Sequence, residues 1–214
     1  MAIVACTTLG YNTGVKKERF DFEIEPSGFR WFAKPLDFSF GNGLEIHTTR
    51  NTDFWQRTFY GFRRDSGHAY LLRVDEDFTM TTRVSFEPNS QYDQCGVFIR
   101  TDAANWIKAS IEYEGEEPAH LGSVVTTLGY SDWAWQPIDR SIQSISYRVN
   151  KRESDVLLEW SNNDSWNAMR IAHLHAQGDE VEAGIYACSP VGDGFTCRFE
   201  YLEIGPCGWS AASE

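Results

Sequence analysis

Two adjoining segments, Gln94 to Arg100 and Trp106 to Tyr113, alternate with a period of two, and that period constrains the chain more than any other feature. Side chains on a strand point to opposite faces in turn. Cys95, Val97 and Ile99 share one face of the first segment, while Gln94, Phe98 and Arg100 take the other. On the second, Ile107, Ala109, Ile111 and Tyr113 oppose Trp106, Lys108, Ser110 and Glu112. One face is an apolar underside. The other is a row of cations, a carboxylate, an amide and aromatic rings.

The same period recurs along the chain. Asp77 to Phe86 is the clearest strand, with Phe78, Met80, Val84 and Phe86 on one side. Residues 1–19 read as a leading strand or arm, and Phe20 to Ile24 alternates apolar and acidic. Further strands are expected over Leu44 to His47, Ala69 to Val74, Ser144 to Asn150, Asp155 to Trp160, Val181 to Ala187 and Phe195 to Ile204. Asn167 to His175 also fits a helix through Met169, Ile171 and Leu174, but its shortness and its strand neighbours make it a strand. Gly41-Asn42-Gly43, Ser161 to Ser165 and Ser189 to Gly194 carry turn chemistry. Asn51 to Gly67 is crowded with aromatics and arginines and has no clean period. Ser131 to Trp135 reads as a loop whose tryptophans form a lid or a stacking platform. The tail Trp209 to Glu214 is expected to be loose. Many short strands with turns between them, and no long helical pattern, define an antiparallel sandwich or barrel. At 214 residues, one domain spanning 1–214 is expected.

A formal charge of −12 repels nucleic acid and anionic membrane surfaces, so neither is an expected partner. No apolar run approaches a membrane span. Met1 to Cys6 is too short, and lacks the basic flank, for a secretory signal, which points to the cytoplasm. The cysteines are Cys6, Cys95, Cys188, Cys197 and Cys207, an odd number without the short spacings of a zinc or redox pair. Reduced thiols are expected, and a Cys188–Cys197 or Cys197–Cys207 disulfide has no support in the spacing.

The polar row of Gln94, Arg100, Lys108, Ser110 and Glu112 has two readings. It is either the solvated side of an antiparallel sheet, the default arrangement, or the floor of a groove. Phe98 and Trp106 on the same face favour the groove. Lys108 and Glu112 stand about 13 Å apart at the usual rise, too far for an ion pair, so each needs another partner. Rings that cover sugar faces beside polar groups that reach hydroxyls are what a carbohydrate site needs. The candidate ligand-binding residues are Trp55, Gln94, Arg100, Trp106, Lys108, Glu112, Asp132 and Trp133. His173 and His175 share a strand face as in some metal sites, but no third ligand is readable and an ordinary strand is the better reading. His68 and His120 are isolated. No metal or cofactor is expected. Nucleophile elbows, phosphate loops and dinucleotide fingerprints are absent. A glycosidase needs two close carboxylates, and no Glu-x-Asp-x-x-Glu run occurs. Asp21, Glu23 and Glu25 read as a surface stripe. The enzymatic alternative is a hydrolase or lyase with Glu112 as acid and Lys108 or Asp132 as helper.

Thr52-Asp53-Phe54-Trp55, Tyr60-Gly61-Phe62, Tyr92 to Gly96, Trp106 to Glu112, Ser123 to Thr126, Ser131-Asp132-Trp133 and Ser189-Pro190 together resemble the family that includes the fungal regulation of enolase protein. The resemblance covers roughly residues 15–205. It implies a concanavalin A-like lectin/glucanase jelly roll with a ligand groove on the concave sheet. It also implies a cytoplasmic protein tied to galactose-related control of enolase, with enolase as an expected partner. Three readings follow: a non-enzymatic binder of a sugar or sugar-like metabolite, the Glu112 enzyme, and a protein-interaction scaffold with an empty groove.

Overall fold

In the computed structural model, residues 15–59, 61–115, 118–163, 165–175, 178 and 180–210 are described. Period-two burial builds the fold directly. Strand β8 (Phe78–Glu87) alternates buried and half-buried positions over nearly its whole length. Its apolar side joins that of β13 (Ser144–Arg152), where Ile145, Tyr147 and Val149 are fully enclosed. Around this pair lie β14 (Asp155–Ser161), β15 (Asn167–His173), β17 (Thr196–Pro206), β4 (Gly43–His47), β3 (Asp37–Gly41) and β1 (Glu18–Phe20). They form an eight-stranded sheet in the order β15-β14-β13-β8-β17-β4-β3, with β1 also on β17.

The facing sheet is a four-stranded meander extended by three further strands. It contains β9 (Gln94–Asp102), β10 (Asn105–Glu112), β11 (Ala119–Thr127), β12 (Tyr130–Ile138), β16 (Val181–Cys188), β7 (His68–Val74) and β2 (Phe29–Trp31). Its order is β12-β11-β10-β9-β16-β7-β2, with antiparallel pairing throughout. The neighbours β8 and β17 in one sheet continue in sequence to the neighbours β9 and β16 in the other. That crossing makes a jelly roll, so the chain is an all-β, concanavalin A-like sandwich of two antiparallel sheets. Cys95, Val97, Ile99, Ile107, Ala109 and Ile111 face the opposing sheet's Val84, Ile145, Tyr147 and Phe199 in one core. Among the described residues no helix is long and apolar enough to cross a membrane.

Several expectations change. Ser131 to Trp135 is not a loop but the body of β12, which pairs with β11 along its whole length. Its residues are almost all exposed because it is an edge strand, and exposure on both faces erases the alternation that reveals a strand. Phe20 to Ile24 is not a strand either. The chain leaves β1 at Phe20, and Phe22 takes a left-handed φ of 56° that drops its ring into the core beside Phe29, Phe40 and Tyr70. Asp21, Glu23 and Glu25 therefore share no strand face. The aperiodic stretch 51–67 contains a ribbon of its own, β5 (Phe54–Gln56) paired with β6 (Arg63–Asp65) and joined to neither large sheet. Gly41-Asn42-Gly43 turns β3 into β4, and Asn167 to His173 is a strand. Cys95, Cys188, Cys197 and Cys207 are free thiols. Of the arm expected over residues 1–19, residues 1–14 with Cys6 lie outside the described residues, as do residues 211–214 of the tail expected over 209–214.

Close strand approach makes one glycine indispensable. A Cβ on Gly96 would collide with the carbonyl oxygen of Ala109 on the paired strand, and only backbone movement relieves that. Gly96→Ala is expected to cost about 1–3 kcal/mol, the scale of overpacking, read as a lower urea midpoint at unchanged slope.

Candidate functional site

The outward face of β9, β10 and β11 carries the row singled out in the sequence, and strand register orders it. Gln94 lies opposite Glu112, and Glu112 opposite His120. Phe98 lies opposite Lys108, then Val124, then Trp133 on β12. Arg100 lies opposite Trp106, then Thr126, then Ser131. Gln94, Lys108 and Glu112 are joined through the amide. Lys108 Nζ donates to Gln94 Oε1 at 2.8 Å, and Gln94 Nε2 donates to Glu112 Oε2 at 2.8 Å. The same Oε1 accepts the Tyr186 hydroxyl, which also reaches Ser110. The distance between Lys108 and Glu112 is thus spanned by one side chain.

The middle of the row is covered. Segment 51–67 folds over it, and Phe54 stacks on Phe98 at 4.4 Å between ring centres. Phe54, Phe98, Trp106, Val124 and Tyr186 form a second apolar cluster outside the sheet. Two carboxylates of the segment neutralise two cations of the sheet. Asp53 Oδ1 sits 3.2 Å from Lys108 Nζ, and Asp65 takes Arg100 in a two-pronged contact at 2.6 and 2.8 Å. Arg100 also lies under the Phe32 ring at 4.3 Å. Lys108, Arg100 and Trp106 are 4%, 6% and 0% exposed, so they meet no bulk solvent. Trp55 donates its indole N–H to Thr58 within the segment. Asp132 points away from Trp133, toward the core side of the edge, and holds Arg170 of the other sheet at 2.8 Å. Of the eight residues named from sequence, Gln94, Lys108, Glu112 and Trp133 come together. Arg100 and Trp106 are adjacent but enclosed, and Trp55 and Asp132 stand apart.

One corner stays open. Glu112 is half-buried, and beside it His120 stacks on Trp135 at 3.8 Å between ring centres and 18° between planes, with Trp133 5.7 Å away. Trp133 and Trp135 are 37% and 50% exposed. Gln94, Lys108, Ser110, Glu112, His120 and Trp133 line a cavity of about 10 Å³, room for one water molecule. Burial pushes the Glu112 carboxyl up to about 8. Lys108 and Gln94 pull the other way, while Asp53 and Glu114 add to the rise. At neutral pH the protonated form is therefore favoured. Burial opposes the charge on Lys108, but Asp53, Cys188 and Glu112 around it together more than compensate and its pKa rises. The corner thus offers a carboxylic acid, an imidazole and two indole faces. Sequence reasoning set His120 aside as isolated and placed Trp135 in a loop. Pairing β10 with β11 across residues 113–118 would have set His120 opposite Glu112.

No group of three or more His, Cys, Asp and Glu side chains able to hold a metal occurs among the described residues. His173 contacts Asp155 at the surface, and its ring centre is 6.3 Å from that of His175.

Residues 31–207 match the family described as "Protein of unknown function (DUF1349)". The chain belongs to that family. It is 33% identical over 181 residues to "Regulation of enolase protein 1" of Saccharomyces cerevisiae, covering 83% of this chain and 90% of the yeast one. A crystal structure described as a functionally unknown protein from Saccharomyces cerevisiae superposes with a TM-score of 0.78 at 32% identity, over 85% of this chain and 98% of that one. The family expected from the motifs is therefore the family found. The Bacillus licheniformis protein BlXynB, of type GH43, superposes with a TM-score of 0.70 at 13% identity, over 88% of this chain and 39% of that one. That likeness concerns the fold alone.

The raised Glu112 pKa sets a pH dependence. The folded state holds this proton up to about pH 8, whereas an unfolded Glu loses it near its ordinary 4.5. Between those values the folded state binds more protons, so stability falls as pH rises. Glu112→Gln removes this contribution. Unfolding midpoints at pH 5 and pH 8 are expected to separate less in the variant than in the wild type.

Proposed function

We propose that this chain is a cytoplasmic, single-domain regulatory module without catalytic activity that binds a carbohydrate or sugar-like metabolite at the Glu112 corner. The observation that carries the reading is the Glu112 carboxyl, oriented by Gln94 and flanked by His120 and the exposed faces of Trp133 and Trp135. Indole faces suit the apolar side of a pyranose, while a carboxylic acid and an imidazole can each donate to and accept from hydroxyls. The yeast relative's name, Regulation of enolase protein 1, supports a role in controlling enolase, and we extend that role to this chain together with a link to galactose metabolism. The sugar would lie across the tryptophans on the surface, because the cavity behind them, at about 10 Å³, has room for no more than one water.

That small cavity also favours binding over turnover. A hydrolase or lyase would use Glu112 as its acid, a task a pKa near 8 suits, but its helper Lys108 is already held by Asp53 and Gln94. A second reading, a protein-interaction surface, draws on the exposed Leu128, Tyr130 and Trp135 at the β11–β12 end of the sheet.

A sugar panel read by thermal shift tests the proposal. A ligand at ten times its Kd stabilises by about 1.4 kcal/mol, expected as roughly 3–6 °C in Tm for a chain of this size. Trp133→Ala and Glu112→Gln should each abolish the shift, with no product formed in the wild type. No shift with any sugar, alongside enolase capture that survives Glu112→Gln, would favour the interaction surface.

A further inference from the structure

Segment 51–67 rests on the sheet in an unusual way. Its ribbon, β5 with β6, shares a ladder with neither large sheet. Side chains hold it down instead: Asp53 on Lys108, Asp65 on Arg100, and Phe54 stacked on Phe98 between them. Phe54 pairs with Asp65 across the ribbon, so one phenyl ring and two flanking carboxylates are presented together. Further ties include Thr52 N donating to the Ser189 carbonyl at 3.3 Å, Ser189 N donating to Thr52 Oγ1 at 2.8 Å, Gln56 N donating to Ser131 Oγ at 2.9 Å and Arg57 reaching the carbonyls of Leu128 and Gly129 at 3.4 Å. Asn51, Arg57 and Phe59 all hold left-handed φ angles, 63°, 57° and 59°, which non-glycine residues adopt at a cost.

The sheet beneath is rich in donors. Lys108 and Arg100 are buried cations on neighbouring strands, in a chain whose net charge is −12. Trp106 Nε1 is buried there with no acceptor. A buried N–H without a partner is costly, and most native structures avoid it. Two cations, an orphan indole donor and the flat face of Phe98 make a surface that matches a flat ring carrying two anionic groups. The segment meets the charges and the ring but leaves the indole donor unmet.

We propose that segment 51–67 is a built-in occupant of an anion-binding site, and that Asp53, Phe54 and Asp65 stand where a flat-ringed dianion binds when the segment swings away. The ligand class is a small molecule with two carboxylate or phosphate groups about one ring apart. Lys108 takes one anionic group and Arg100 the other in a forked contact, the ring lies on Phe98, and Trp106 donates to an oxygen of the ligand. The inference does not depend on the sugar reading. Its site lies under the segment, whereas that reading concerns the open corner at Glu112, Trp133 and Trp135.

Isophthalate, a benzene ring with two carboxylates, is the probe. The double variant Asp53→Asn/Asp65→Asn removes both built-in anions, and the amide introduced at position 53 keeps an oxygen to cap Phe54 N. Calorimetric titration is expected to show isophthalate binding at least tenfold tighter in the double variant than in the wild type. Adding Arg100→Met should remove that gain. A folded double variant that binds no better than the wild type overturns the proposal. If the double variant does not fold, amide hydrogen exchange on the wild type decides. Segment amides that exchange ahead of β9, and faster with isophthalate present, support it. Segment amides that exchange only with global unfolding, or at a rate isophthalate leaves unchanged, overturn it.

Discussion

Two carboxylate clamps, Asp53 on Lys108 and Asp65 on Arg100, let a charged row lie buried at the centre of a sheet. An ion taken out of water without a partner costs several kcal/mol, so neither cation could be enclosed alone. The partners come from outside the sheet, on a ribbon that would otherwise have little reason to lie against it. Phe54 then closes the apolar gap between the clamps. Because of these contacts the strands β9, β10 and β11 are buried on both faces, an arrangement more familiar in parallel sheets. The open corner follows from the same contacts, since the cover meets β12 at Ser131 and leaves Trp133 and Trp135 beside Glu112 exposed.

Charge is distributed along the row by one amide. Gln94 accepts from Lys108 and Tyr186 through Oε1 and donates to Glu112 through Nε2, so its orientation is set by the ammonium and the hydroxyl together. Burial makes a negative charge at Glu112 costly, and the pull of Lys108 does not offset that cost. The carboxyl therefore stays protonated to about pH 8. Lys108, Asp53 and Glu112 are thus linked in one network through Gln94. A carboxyl that both donates and accepts suits a neutral polyol better than an ion. The clamps and the corner are in this sense one electrostatic arrangement with a closed half and an open half.

How far the sequence could be read depended on periodicity. Where one face of a strand is apolar, as at Phe78 to Phe86 or Cys95 to Ile99, alternation predicted both the strand and its inward residues. Where it is not, reading failed in predictable ways. Trp133 and Trp135 sit on an edge strand with two wet faces, so β12 resembled a loop. Phe22 is inward because a left-handed residue turns it there, which an alternating acidic stretch conceals. Asp53 and Asp65 were ordinary acids in an irregular stretch, yet they decide whether Lys108 and Arg100 meet water. Asp132 stood beside Trp133 in sequence and, by the pleat, faces the opposite way toward Arg170.

The sequence by itself determined the all-β class, the two faces of the central strands, the acidity that repels polyanions, and the family through its ordered motifs. These follow from local rules: side chains alternate on a strand, and charge sums along a chain. Only the tertiary structure decided which part of the polar row is open. The cover is contributed from tens of residues away by a stretch with no period, and its place is set by pairing of charges across space rather than by anything its own residues repeat.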